Sequence, residues 1–529
     1  MQKPSSKFNI AKPIGHGQVV VQPDGSDLGG QLLSNIATLS SDKTIANIPL
    51  AQLRHKAKAE LLAKALDYTA GHIQNISIDK PMIVTGHQCQ FWHCGIIAKY
   101  ITGALLAKAE AGCFINLVLD HDLVGQVQLR WPQMSDAQMK MHHIPLNQID
   151  PDLPAQLQTI SSGQIKDFVS AIDSQIDPDM AQWPQLGAQI LAAGARAGTI
   201  SDFFALLNRS IAAANSIHWL DLPVSAMTES ESFALFTAEM LVNADTAWQR
   251  YNDAIKFGKQ NQSNHHLVPE LISIEDKLEM PFWIIDNNRR HRLFLRQQDN
   301  IIQLGTLSQN MYSICRVNSK STAAIARELL ASNIQIRPRA LTLTAFARLF
   351  LADQFIHGIG GAYYDLLTDH FIENYYGIKP PGFVCVSATM QLFADKYQNG
   401  ADALSLYRQA RHHCRDFNYN PQRYRDLTVF NPIIHELLSQ RQAAIELNDQ
   451  LKSQQASSST RSLQFQRIKE LNRQLTALLP DIKAKLQAAS DQASQNAAAM
   501  AIANDREYFF GLFNPAQLGL LEAKIRELL

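Results

Sequence analysis

The stretch from residue 81 to residue 122, PMIVTGHQCQFWHCGIIAKYITGALLAKAEAGCFINLVLDHD, constrains the fold more than any other part of the chain. Met82 to Val84 form a short apolar run that ends in Thr85 and Gly86, the pattern of a buried strand entering a turn. An apolar-periodic segment from about Gly95 to Ala109 predicts a helix, and CFINLVLDHD (113–122) predicts a second buried strand. Strand, helix and strand joined by short connections make a right-handed βαβ unit, which requires a parallel sheet. In such sheets ligands bind where a strand ends and a helix begins, because open backbone N–H groups and the helix dipole face the crevice.

At 529 residues the chain exceeds one ordinary core, so two or three packed units are expected. Lys+Arg and Asp+Glu both number 48, so no global charge draws the chain to nucleic acid or to an anionic membrane. The N-terminus, MQKPSSKFNIAKPIG, lacks the apolar core of a secretory signal. The most membrane-like window, Ile96 to Leu119, carries Lys99, Lys108 and Glu110 and is punctuated by Gly112, so no transmembrane helix is expected. Six cysteines in a chain this long read as reduced thiols of a cytoplasmic protein, not as a disulfide framework.

Four segments follow from the pattern. Residues 1–135 read as the first half of a Rossmann-like core, including a strand at GQVVVQP (17–23). A helix is predicted over 49–68 with Leu50, Leu53, Ala57, Leu61 and Ala65 on one face. Residues 136–330 read as an inserted α+β module with a β-hairpin at 281–296 around Asn287-Asn288. Residues 331–428 return to the core through a helix, the glycine-rich turn HGIGGAYYD, another helix and the strand GFVCV. Residues 429–529 read as an antiparallel coiled coil and tail. Ile468, Leu471, Leu475, Leu478 and Ile482 keep a three-four spacing that Pro480 should kink. SQQASSST joins that segment to an earlier one over 432–453, and the seam serves either a homodimer or an intramolecular hairpin.

The candidate chemistry gathers at the predicted strand ends. His87 and His93 flank the first turn, where two imidazoles near a helix dipole would bond a leaving phosphate through charge-assisted hydrogen bonds. The rival is zinc held by His87, Cys89, His93 and Cys94, but adjacent ligands such as His93-Cys94 rarely both reach one tetrahedral ion. The bland alternative is a pair of histidines satisfied by turn backbone. Asp120, His121 and Asp122 end the second strand; the carboxylates would hold a hydroxyl, an amine or Mg²⁺, and His121 suits a general base. Gly358, Gly360 and Gly361 allow close approach to a ligand, or serve a tight helix-to-helix turn. Ser387 and Thr389 follow the later strand. Arg408, Arg411, His412, His413, Arg415, Arg423 and Arg425 form a basic cluster that touches phosphate or, more commonly, is a solvated face.

VTGHQ, DHD, RPRALTL…GIGGAYYD, VSATM and the C-terminal coiled coil together resemble the bacillithiol-synthesis cysteine-adding enzymes, the cysteine ligases of low-GC Gram-positive and other bacteria. The resemblance implies a Rossmann-like core of nucleotidyltransferase type, a dimerising coiled coil, and transfer of cysteine to the amine of glucosaminyl-malate with ATP and Mg²⁺. It carries roles to Thr85, Gly86 and Gln88, to Asp120, His121 and Asp122, and to Gly358, Gly360, Gly361, Ser387 and Thr389. Gly95 at the helix start, Arg337 at the head of RPRALTL, and His357 and Asp365 bounding HGIGGAYYD join the expected nucleotide and substrate edge. The chain departs from the family pattern where His87 replaces a glutamine, where Leu119 precedes DHD, and where AYYD replaces a glutamate-bearing turn. Two other readings stand beside this one: a nucleotidyltransferase-fold enzyme acting on another small molecule, and a non-catalytic assembly protein working through its coiled coil.

Overall fold

A computed structural model describes residues 10–69, 76–135, 138–178, 180–261, 268–298, 301–308, 311–316, 321–394, 400–424 and 431–529. The chain divides into two compact units. The first comprises Met1–Trp131, His142–Leu392 and Arg506–Leu529; the second comprises Pro132–Met141 and Phe393–Asp505.

The first unit is built on a six-stranded sheet of β1 (Gln18–Gln22), β2 (Met82–Gln88), β3 (Cys113–Leu119), β4 (Leu220–Pro223), β5 (Gln354–His357) and β6 (Phe383–Thr389), in the order β1-β6-β5-β2-β3-β4. All neighbours from β6 to β4 are parallel, and β1 pairs antiparallel with β6. The chain is therefore α/β with a Rossmann-like parallel core. From β2 the chain builds outward through β3 and β4, then returns to the other side of β2 with β5 and β6. The direction of winding reverses between β2 and β5, and a crevice opens at such a reversal.

The strands are apolar along their length because both faces are covered. Met82 to Thr85 and Cys113 to Val118 are buried without interruption. Alternate residues Met82, Val84, Cys113, Ile115, Leu117, Leu220 and Leu222 pack in one cluster with Leu50, Leu53, Ala57, Leu61 and Ala65 of helix Leu50–Thr69. The predicted helical face is thus the observed one. At the amino ends of the strands Asp353 ties the layers together: it accepts from Arg54 at 2.7 Å, from Lys58 at 2.7 Å and from the Met82 amide at 2.8 Å.

The inserted segment differs from expectation. Strand β4 lies inside 136–330 yet belongs to the core sheet. Four residues ending in a proline give too little pattern to show in the sequence. The later part forms a second, antiparallel sheet through Lys277–Asp286, Arg289–Gln298, Ile301–Gly305, Tyr312–Arg316 and Gln335–Pro338. Its hairpin turns at Asn287 and Asn288, both at positive φ (48° and 60°), where asparagine is tolerated.

The second unit holds the long helices α4 (Gly400–Tyr419), α5 (Pro432–Ser453), α6 (Ser458–Ala477) and α7 (Pro480–Ala503). It begins at Phe393, earlier than the expected 429, and the last residues, Arg506–Leu529, belong to the first unit. Helices α5 and α6 pack as a hairpin that buries Ala444, Leu471 and Leu475. Inside that seam Arg441 donates to Asn472 at 2.5 Å and both reach the Tyr419 carbonyl at 2.9 Å, a polar anchor that fixes register. Pro480 does not kink a helix; it begins a new one, where its missing N–H is not required.

Candidate functional site

The reversal point opens into a cleft with a volume of about 710 Å³. The carboxyl end of β2 supplies Gly86, His87 and Gln88, and β3 leads to His121 and Asp122. From β5 come His357 and the glycines Gly358, Gly360 and Gly361, which open helix α3 (Ile359–Tyr376); from β6 comes Ser387. Helix α1 (Cys94–Ala109) contributes Gly95 and Lys99, and Ala340, Leu343 and Thr344 come from helix α2 (Ala340–Phe346). Sequence reasoning did not single out Lys12, Lys99, Trp283, Tyr364, Arg506 and Glu507 as site residues, yet they also line the cleft.

Positive charge here comes from lysine and arginine. Lys99 is 3% exposed, and its ammonium donates to the Gly86 carbonyl at 2.8 Å. Burial lowers its pKa to about 7, against a partial lift from Cys385. Arg506 donates to the Ser387 hydroxyl at 3.1 Å and the Ala388 carbonyl at 2.7 Å. Its guanidinium, the His93 ring and the Ala388 carbonyl leave no room for a Cβ on Gly95, so the helix start must be glycine.

The histidines of the first turn line the cleft, but they do not carry the charge expected of them. His93 caps α1: its Nδ1 accepts from the Gly95 amide at 2.9 Å, so that nitrogen is unprotonated. Burial, with Arg506, Lys12 and Lys99 adding to it, lowers its pKa to about 3. The Nε2 of His87 lies 2.9 Å from the Gln90 amide nitrogen, and burial and Lys99 push its pKa well below the ordinary value. Both rings are neutral near pH 7 and offer ordinary, not charge-assisted, hydrogen bonds.

On the opposite wall Asp122 is held by Arg290 at 2.6 Å, and Arg290 stacks on Trp283 at 4.6 Å. His121 is buried beside it, and burial lowers its pKa to about 4 although Asp122 opposes the shift. It therefore accepts hydrogen bonds better than it accepts protons, which weakens the general-base role expected of it. His357 meets Asp365 at 2.7 Å, and Asp365 meets Arg348 at 2.7 Å. Burial raises the Asp365 pKa, but Arg348 and His357 outweigh it and hold the group well below the usual carboxylate range. His357 then donates from Nε2, and its Nδ1 faces the glycine turn, 2.6 Å from where a Gly361 Cβ would sit.

Several expected site residues lie outside the cleft lining. Thr85 crosslinks the sheet by donating to the Ile356 carbonyl at 2.7 Å. Asp120 turns away to the Ser225 amide (3.0 Å) and hydroxyl, and burial raises its pKa to about 6. Thr389 donates to the Pro13 carbonyl at 2.5 Å. Asp365 supports His357 from behind, and Arg337 lines a different cavity. Of the basic cluster, Arg408, Arg411, His412, His413, Arg415 and Arg423 are exposed in the second unit; Arg425 lies outside the described residues.

Among the described residues no three His, Cys, Asp or Glu side chains gather as a metal set. Cys89 and Cys94 are buried, and burial pushes both thiols up, away from the thiolate that zinc requires. Asp122 and Glu507 are the carboxylates that line the cleft among the described residues, and Asp122 is already paired. This does not make a protein cage for magnesium, an ion that nucleotide sites in general hold largely through substrate phosphates. Among the described residues no helix is long and apolar enough to cross a membrane.

Lys99 had a signal in the sequence: a lone lysine in the apolar first turns of a helix. Arg506 had none, because it lies more than a hundred residues beyond the last core strand.

No family model matches the sequence, and no curated protein matches it. Among solved structures the chain is similar to the tryptophanyl-tRNA synthetase of Plasmodium falciparum, at 9% identity over 94% of this chain and 95% of that one, with a TM-score of 0.23. A likeness of that score carries no weight for activity.

Proposed function

We propose that the cleft binds ATP through its phosphates and uses it to join a carboxylate to an amine, as the bacillithiol-synthesis cysteine-adding enzymes do. In this reading cysteine is the acid and the amino sugar of glucosaminyl-malate is the amine, in the cytoplasm. One observation carries it: Lys99, Arg506 and the glycine-rich start of α3 converge on a single cleft at the reversal of the sheet. A buried ammonium, a guanidinium and open amides are what a triphosphate needs.

The chemistry divides into two balanced steps. A carboxylate oxygen attacks the α-phosphorus, an acyl-adenylate forms, and pyrophosphate leaves against Lys99 and Arg506. The amine, held by Asp122 and the accepting nitrogen of His121, then attacks the acyl carbon, and AMP leaves. The amine's proton passes to water, because an imidazole with a pKa near 4 retains it poorly. His87 and His93 act as neutral hydrogen-bonding walls.

Exchange of labelled pyrophosphate into ATP with single amino acids tests the first step. Cysteine is expected to drive exchange, and Lys99→Met to abolish it; a protein that exchanges with no amino acid loses this reading. The same resemblance gives α5 and α6 to self-association, and Leu463 and Phe465 stand 66% and 50% exposed there. Sedimentation equilibrium should find a dimer that Leu463→Glu with Phe465→Glu dissociates. A wild-type monomer at tens of micromolar would end that part of the proposal.

A further inference from the structure

A second cavity of about 400 Å³ lies in the first unit, lined by helix Glu231–Val242, helix Thr322–Ala331 and strand Gln335–Pro338. It shares no lining residue with the cleft. We infer that this cavity binds an α-amino acid with an apolar side chain, its carboxylate on Arg337, its ammonium toward Glu229, and its side chain among Phe233, Leu329 and Ile336.

Arg337 is 4% exposed, and every acceptor it touches is neutral. It donates to Gln156 at 3.1 Å, Thr228 at 2.9 Å, Gln335 at 3.2 Å and the Ile336 carbonyl at 3.0 Å. Among the described residues no carboxylate comes within ion-pair distance of it. Asp120 and Glu229 act on it from farther away, and the Asp120 oxygens are committed to Ser225. A guanidinium taken out of water with no anion in contact is a strained arrangement that a carboxylate relieves, most fully in a two-pronged contact.

A second observation points the same way. Thr237 lines the cavity, is 1% exposed, and its hydroxyl has no hydrogen-bond partner among the described residues. Buried hydroxyls are nearly always paired, and a ligand oxygen or nitrogen would pair this one. Glu229 stands exposed at the rim, so the cavity presents a cation inside and an anion at its edge. That polarity fits a zwitterion and disfavours a simple acid or a simple amine. Phe233, Ala234, Leu329 and Ile336 form an apolar wall with no partner for a charged side chain.

Calorimetric titration of the full chain with leucine, phenylalanine and methionine tests the site, beside 4-methylpentanoate, which lacks the amine, and isoamylamine, which lacks the carboxylate. At least one of the three amino acids should bind, and losing either charged group should weaken binding by about tenfold or more. Glu229→Gln, an exposed substitution that leaves the core untouched, should weaken amino-acid binding about tenfold and leave 4-methylpentanoate unchanged. Arg337→Gln should abolish both; if that variant does not fold, Thr237→Val decides in its place by weakening both. Binding should survive Lys99→Met, which separates this site from the cleft. No heat with any of the three amino acids, or wild-type affinity in both Glu229→Gln and Thr237→Val, overturns the inference.

Discussion

Replacing Asp353 with alanine is expected to lower the unfolding free energy by about 3–5 kcal/mol, the range for removing one partner of a buried ion pair. Asp353 is 4% exposed and stands between two cations, Arg54 and Lys58. Arg54 is itself 6% exposed and also donates to the Leu349 and Ala352 carbonyls at 2.8 and 3.2 Å, so it cannot swing to solvent when its carboxylate is gone. The Met82 amide would lose its acceptor at the start of β2. Most domains hold only about 5–15 kcal/mol in all, so this one change should consume a large share of it. Urea denaturation of the two proteins at pH 7 measures the difference. Asp353→Asn should fall between them, since it keeps an acceptor but not the charge. A loss below about 1 kcal/mol, the scale of an exposed ion pair, would mean that the site is wet and the layers are held elsewhere.

Lys99→Met should weaken ATP binding by about 10- to 150-fold, the equivalent of the 1.5–3 kcal/mol of a charge-assisted hydrogen bond. The pH dependence gives the sharper signature. Burial lowers the Lys99 pKa to about 7 in the free protein, and only the protonated amine attracts phosphate. Wild-type affinity should therefore fall as pH rises through 7, by up to about tenfold per unit, whereas Lys99→Met should lose that component. Stability moves in the opposite sense. The unfolded chain keeps the lysine proton up to its ordinary value near 10.5, while the folded chain releases it near 7. Between those limits the unfolded state binds more protons, so this residue's contribution to stability rises with pH, and below 7 its full penalty is present. Titration of both proteins with ATP at pH 6.5, 7.5 and 8.5 reads the first effect. Identical pH slopes would remove Lys99 from the proposed phosphate site.

Much of this site was legible because local pattern and tertiary role agree at the strand ends. Met82 to Gly86 and CFINLVLD announce parallel strands, and the glycines at 358, 360 and 361 mark the second turn of the same crevice. Asn287-Asn288 identifies its hairpin for the same reason, since two residues at positive φ leave few alternatives. Side-chain direction was not legible. Asp120 and Asp122 are two residues apart after one strand, yet one turns to Ser225 and the other to the cleft. Nor was protonation: His87 and His93 have the composition of a phosphate grip, but their burial beside Lys99 and Arg506 leaves them neutral. Strand β4 escaped notice because LDLP is too short to show a period. Arg506 escaped because nothing local distinguishes an arginine that folds back from one that stays in solvent.

That arginine bears on the order in which the protein is made. Every strand of the central sheet has been synthesised once residue 389 has been added, but the guanidinium that rests on Ser387 waits for the whole helical excursion to follow. A nascent chain paused within Phe393–Asp505 would thus carry every strand of the sheet but neither the arginine that charges its crevice nor the final helix that packs on the first strand.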